Sequence, residues 1–204
     1  MPLDKRRRAR QSVSMKTIKQ NRDTLLLRLV KYIGRSEAWG TDLGARVFSQ
    51  LNTELISRSE GTLVLIDYDG LERSDVSFQR EAVVETLRKH RPRLLFVAVN
   101  LEDPDLLTNL ELALEKRGEF LLVRRGNGEV RVIGKRLPEE QKRTLETVWK
   151  AGEATSAQLV KTAPRGKLST AASRLMALWR AGLVERVEGT APSGGREHRY
   201  YSIS

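Results

Sequence analysis

The sequence predicts a mixed α/β fold: a small sheet domain over residues 24 to 136, then a compact helical domain over residues 137 to 204 that closes with a hairpin. Three observations carry this. Apolar runs such as TLVLIDY and RLLFVAVN alternate with segments whose apolar residues recur at helical spacing, the rhythm of a sheet built from strand and helix in turn. From Leu137 that rhythm gives way to helical stripes in succession. Charge is also uneven: residues 1 to 20 carry seven Lys and Arg against one acid, residues 21 to 137 carry nineteen against eighteen, and residues 138 to 204 carry eleven against seven. Basic ends on a neutral middle suggest that the terminal segments meet an anionic polymer or surface.

The first 23 residues show no apolar face and read as a disordered basic arm. TLLLRLVKYIG, residues 24 to 34, is rich in Leu and Val and ends at Gly34, which predicts a strand. Leu43, Val47, Leu51 and Leu55 recur every four residues after Thr41 and Asp42, an amphipathic helix with two candidate caps. TLVLIDY follows as a buried strand, and Phe78, Val83, Val84 and Leu87 share a helical face over residues 77 to 90. RLLFVAVN is the next strand, and Asp103-Pro104 opens a helix through Leu114 that Gly118 ends. Two strands around Gly126-Asn127-Gly128 form a hairpin.

In the second domain Pro138 fits a first helical turn, and Leu145, Val148 and Trp149 form its stripe up to Gly152. TSAQLVKTA is a short helix capped by Thr155 or Ser156 and broken by Pro164. KLSTAASRLMALWRAGLV is a third helix, with Leu168, Ala172, Leu175, Leu178 and Trp179 turned inward and Gly182 as its stop. VERVEG, a Thr-Ala-Pro-Ser-Gly-Gly loop and REHRYYSIS complete a hairpin, so the order is that of a winged helix. Each helix has its own apolar stripe, which predicts that residues 137 to 204 fold alone.

The absence of cysteine excludes a disulfide framework or a thiolate metal site, and the two histidines, His90 and His198, are too poorly partnered to suggest a metal. No cofactor is expected. No apolar stretch approaches a membrane span and the N-terminus lacks a signal-peptide core, so a cytoplasmic protein without a membrane partner is expected. Asp67-Tyr68-Asp69-Gly70 fits the first loop of haloacid dehalogenase phosphatases, in which the first carboxylate attacks phosphorus. Leu71 stands where that family has Thr, and the later strands end in Asn100 and in Arg124-Arg125, where a hydroxyl and carboxylates belong. No enzyme is expected.

TDLGARVFSQL (41 to 51), LIDYDGL (65 to 71) and SFQRE (77 to 81) stand in the order seen in STAS-like domains, small α/β domains related to anti-sigma-factor antagonists, and residues 24 to 134 resemble them. The resemblance implies a sensory or partner-binding role, with Ser74 or Ser77 at the place of the regulatory serine, although Asp75 and Val76 replace the serines expected there. Apart from any family, Ser77 reads as a helix cap. Residues 137 to 204 resemble the winged-helix domains of MarR-like and ArsR-like bacterial regulators, through S..LxxLxxxGLVxR followed by a Gly-rich wing and paired tyrosines. That implies duplex DNA as a partner, with Lys167, Ser169, Thr170, Ser173 and Arg174 facing bases from the third helix. Arg196, with His198 and Arg199 behind it, would follow a phosphate backbone or a minor groove from the wing. Such regulators commonly bind as two-fold dimers, which leaves a homodimer open. The expected function is a DNA-binding transcriptional regulator; the alternative is a protein-interaction adaptor in a signalling or defence pathway.

Overall fold

The computed structural model describes residues 22 to 162, 166 to 191 and 194 to 203. The expected basic arm lies outside the described residues except for Arg22 and Asp23, as do Pro164 and Ser193. Among the described residues no helix is long and apolar enough to cross a membrane.

The central sheet has five strands: β1 (Thr24–Arg28), β3 (Leu63–Asp67), β5 (Leu95–Val99), β6 (Phe120–Arg124) and β7 (Val130–Gly134), in the order β1-β3-β5-β6-β7. The first four run parallel and β7 returns antiparallel through the expected hairpin. Two short strands, β2 (Glu37–Ala38) and β4 (Arg73–Ser74), pair apart from it. Every crossover moves one place in the same direction. Because crossovers between parallel strands are right-handed, all connecting helices must then fall on one face of the sheet.

That face is covered by α1 (Leu29–Ile33), α2 (Gly40–Leu55), α3 and α4 (Pro104–Arg117), where α3 runs as Val76–Gln79, a π turn over Arg80–Val84, and Glu85–His90. Val64, Ile66, Phe96, Ala98, Leu121 and Val123 point into this layer. Gly44 lets α2 and α3 approach closely, since a Cβ there would lie 2.8 Å from the Glu81 Cβ. The expected strand over residues 24 to 34 is cut short. Its neighbour β3 is only five residues deep, so beyond Arg28 the backbone has no ladder to join, and Leu29 instead turns into the helical layer as the start of α1. The helix stops where Gly34 takes a left-handed φ of 78°.

The opposite face of the sheet presents Leu63, Leu95, Val97, Val99 and Leu122. It is covered by the C-terminal unit: α5 (Glu139–Ala151), α6 (Ser156–Thr162), α7 (Leu168–Arg180) and a three-stranded sheet of β8 (Glu153–Thr155), β10 (Arg196–Ser202) and β9 (Val184–Thr190), in that order. Leu145, Val148, Leu175, Leu178, Val184 and Tyr200 belong to the same apolar cluster as those sheet residues. The apolar stripes expected in residues 137 to 204 thus pack on one another and also share an apolar layer with the outer face of the sheet. Arg91 marks the seam. Its buried guanidinium donates to the Phe120 carbonyl at 2.6 Å and lies so close to Gly182 that a Cβ there would be 2.5 Å from Nε. Burial pushes Arg91 down to about 10, with Glu119 opposing.

Several local expectations shift by a residue or two. Trp39 precedes α2 as its cap, which places Thr41 and Asp42 within the first turn. Pro138 is the cap of α5. Thr155 closes a reciprocal capping box with Gln158, each backbone N–H bound by the other's side chain at 3.2 and 2.7 Å. In α7 the inward stripe is Ala171, Leu175 and Leu178, while Ala172 is half-buried and Leu168, the first residue of the helix, is exposed at the end of the layer. Trp149 and Trp179 pack against the shared core, as expected of apolar-face residues.

Candidate nucleic-acid interface

The docking of the C-terminal unit decides which parts of it remain open. Besides the shared apolar cluster, the unit meets the loops at one end of the sheet through Gly182, which lies against Arg91, and through Glu185, whose carboxylate bonds Arg22 and approaches Gly61. These sites follow the end of α7 and begin β9. The opposite ends of the same elements are the start of α7 and the paired ends of β9 and β10 at Thr190 and Arg196, each roughly 20 Å along its own axis from the docked end.

At the start of α7, Lys167, Ser169 and Thr170 are exposed, and Ser173 joins them one turn later. Arg174 is different. It is half-buried, and its Nη2 lies 2.8 Å from the Glu140 carboxylate on α5, which Arg143 also approaches at 3.5 Å. On β10, Arg196 is 92 % exposed and lies 3.4 Å from Glu188, whereas Arg199 is half-buried with Glu153 at 3.9 Å. His198 is exposed. Lys167, Ser169, Thr170, Ser173 and His198 are thus exposed, while each of the three arginines faces a carboxylate that sequence reasoning missed.

The paired tyrosines are structural anchors for this surface. Tyr200 is buried in the shared core, and burial pushes its hydroxyl up against the opposing effect of Arg186. Arg186 stacks on Trp179, with the guanidinium 3.7 Å from the ring centroid, which fixes α7 against β9.

The other candidate residues, Ser74 and Ser77, occupy distinct settings. Ser74 is buried; its hydroxyl accepts from the Gln79 amide at 2.6 Å, and Gln79 in turn accepts from Tyr68 at 2.8 Å. A modifying enzyme cannot reach that hydroxyl without local opening. Ser77 is half-buried within the first turn of α3 and is not its cap. Asp75 holds that position, accepting from Phe78 N–H at 2.8 Å and from Gly40 N–H at 3.1 Å, so one carboxylate fixes the starts of α3 and α2 together.

Asp67, the residue that suggested a phosphatase, is 1 % exposed and fully engaged. One oxygen accepts from Asn100 at 2.8 Å and from Asp69 N–H at 3.0 Å, and the other accepts from Arg28 at 3.0 Å. Burial alone would raise its pKa, but the bonds from Asn100, Asp69 and Arg28 outweigh it and hold the carboxyl below its usual range. The residue thus ties together the ends of β1, β3 and β5. Asp67→Asn turns an acceptor into a donor against Arg28 or Asn100, and unfolding at neutral pH should show a loss of about 1–3 kcal/mol. A carboxyl with a depressed folded pKa stabilises the fold above its unfolded value near 4, and that contribution fades as pH falls through the folded value. The difference between wild type and Asp67→Asn should accordingly shrink below about pH 4. Among the described residues no group of three His, Asp or Glu could hold a metal ion.

No family model matches the chain, and neither a curated protein nor a solved structure matches it.

Proposed function

We propose that this chain is a DNA-binding regulator in which residues 137 to 204 act as a winged helix on duplex DNA and the STAS-like α/β unit receives a signal or a partner. The observation that carries the reading is the open polar surface formed by Lys167, Ser169, Thr170 and Ser173 at the start of α7, together with the exposed Arg196 and His198 on β10. In this reading the first residues of α7 enter the major groove, where short hydroxyls and a lysine bring the backbone close to base edges. Arg196 supplies a phosphate or minor-groove contact.

A second reading is favoured by one observation, the carboxylates facing Arg174, Arg196 and Arg199. They lower the local positive potential and suit a protein-binding adaptor. The two readings differ in salt dependence. Titrating labelled duplex DNA with the full chain at several salt concentrations should give a negative log–log slope, and Lys167→Ala and Arg196→Ala should each reduce that slope by about 0.9, one phosphate contact apiece. Binding that ignores salt, or two variants that match wild type throughout, would place the adaptor ahead.

A further inference from the structure

A groove of about 430 Å³ runs between the outer edge of β7 and α5, away from the start of α7 and the paired ends of β9 and β10 at Thr190 and Arg196. The phase of the β6–β7 ladder shows which backbone groups face it. Arg125 N–H donates to Glu129 and Lys135 N–H donates to Glu119, both at 2.9 Å. Bonded pairs alternate along an antiparallel ladder, so Arg131 and Ile133 also turn their backbone groups toward β6. Val130, Val132 and Gly134 turn theirs outward, and β7 is the last strand of the sheet. Such an edge is a template for another strand.

The groove beside it is shaped for a side chain as well as a backbone. Val130, Val132, Leu137, Leu145 and Trp149 supply apolar lining, and the Trp149 indole N–H is buried with no acceptor. Arg131, Lys135, Arg136 and Lys142 line it against Glu139 and Glu146, an excess of cations, and among the described residues none of the four is in an ion pair. We propose that the β7 edge and this groove bind an extended acidic peptide segment of a partner protein by strand addition, with alternate side chains entering the apolar lining and carboxylates meeting Lys135, Arg136 and Lys142. A second copy of the chain is the poorer occupant, because two-fold pairing of β7 edges would bring two cationic linings together. Duplex DNA would satisfy the cations but leave the apolar lining and the peptide-like backbone edge unused.

The test uses the full chain and a labelled short peptide alternating Glu and Val, with fluorescence anisotropy as the readout. An alternating Lys and Val peptide and labelled duplex DNA are the comparison probes. Val132→Pro removes an outward N–H while leaving the bonds to β6 in place, so it should weaken the Glu and Val peptide by about tenfold in a chain whose circular dichroism is unchanged. Lys135→Glu combined with Arg136→Glu should weaken it at least as much, and Trp149 emission should change on binding. Absence of binding, equal binding of the Lys and Val peptide, or binding indifferent to Val132→Pro would overturn the proposal. So would groove variants that lose duplex DNA while the peptide never binds, or a dimer in sedimentation that Val132→Pro abolishes. Because the DNA titrations above concern α7 and β10, failure of one test leaves the other standing.

Discussion

Cutting the chain after Arg136 is expected to destroy the fold of what remains. Leu63, Leu95, Val97, Val99 and Leu122 are each at most 8 % exposed in the intact protein, and the C-terminal unit is what covers them. Burying one such side chain contributes about 1.5–3 kcal/mol, so uncovering five costs roughly 7–15 kcal/mol, about the whole stability of an ordinary domain. Residues 22 to 136 alone should bind a hydrophobic dye, associate, and lack a cooperative melt. Residues 137 to 203 alone should be destabilised as well, since Leu145, Val148, Leu175 and Leu178 keep one another but lose the sheet residues of the same cluster. The intact chain should melt in a single transition by circular dichroism and calorimetry. Two fragments with sharp transitions of their own would show that the shared layer contributes little.

The signal for that shared layer was present in the sequence. LVLID, LFVAV and FLLVR are apolar at nearly every position, a pattern that belongs to strands buried on both faces rather than on one. One-way right-handed crossovers put every connecting helix on a single side, which leaves the other side in need of a cover. The strands and most helix ends were legible because Gly34, Gly118, Gly152 and Pro104 mark stops and starts through backbone geometry alone. The start of α3 was harder to read, because Asp75 and Ser77 are both competent caps. What separates them is the Gly40 N–H 35 residues away, which Asp75 also satisfies. A two-residue ladder such as β2 with β4 leaves no periodic trace at all.

The arginines show the limit most clearly. Arg174 reads from sequence as an outward cation on the third helix, and its partner Glu140 stands 34 residues earlier on α5, in a stretch whose own pattern says only that it is solvated. The α5–α7 packing that creates the pair is set by Leu145, Val148, Leu175 and Leu178, so the pairing follows from the core rather than from either surface.

On the DNA-binding reading, that pair makes two substitutions act in opposite directions. Arg174→Ala should weaken binding to a preferred site by about 1–3 kcal/mol, roughly fivefold to 150-fold, if the guanidinium leaves Glu140 to engage a guanine. Glu140→Gln should strengthen binding, because it releases Arg174 and removes a carboxylate that repels phosphate. Both side chains are partly exposed, at 35 % and 54 %, so the pair itself is worth at most about 1 kcal/mol and the gain should be no more than about fivefold. The order of affinities expected is Glu140→Gln above wild type and wild type above Arg174→Ala. In the double variant the effect of Glu140→Gln should shrink, since no guanidinium remains to be released, leaving only the repulsion term and its steeper salt dependence. Titrations of all four proteins at two salt concentrations, with circular dichroism to confirm folding, measure that coupling. If instead Arg174→Ala binds as wild type and loses thermal stability, Arg174 serves to hold α5 against α7, and the major-groove role assigned to this face of α7 fails.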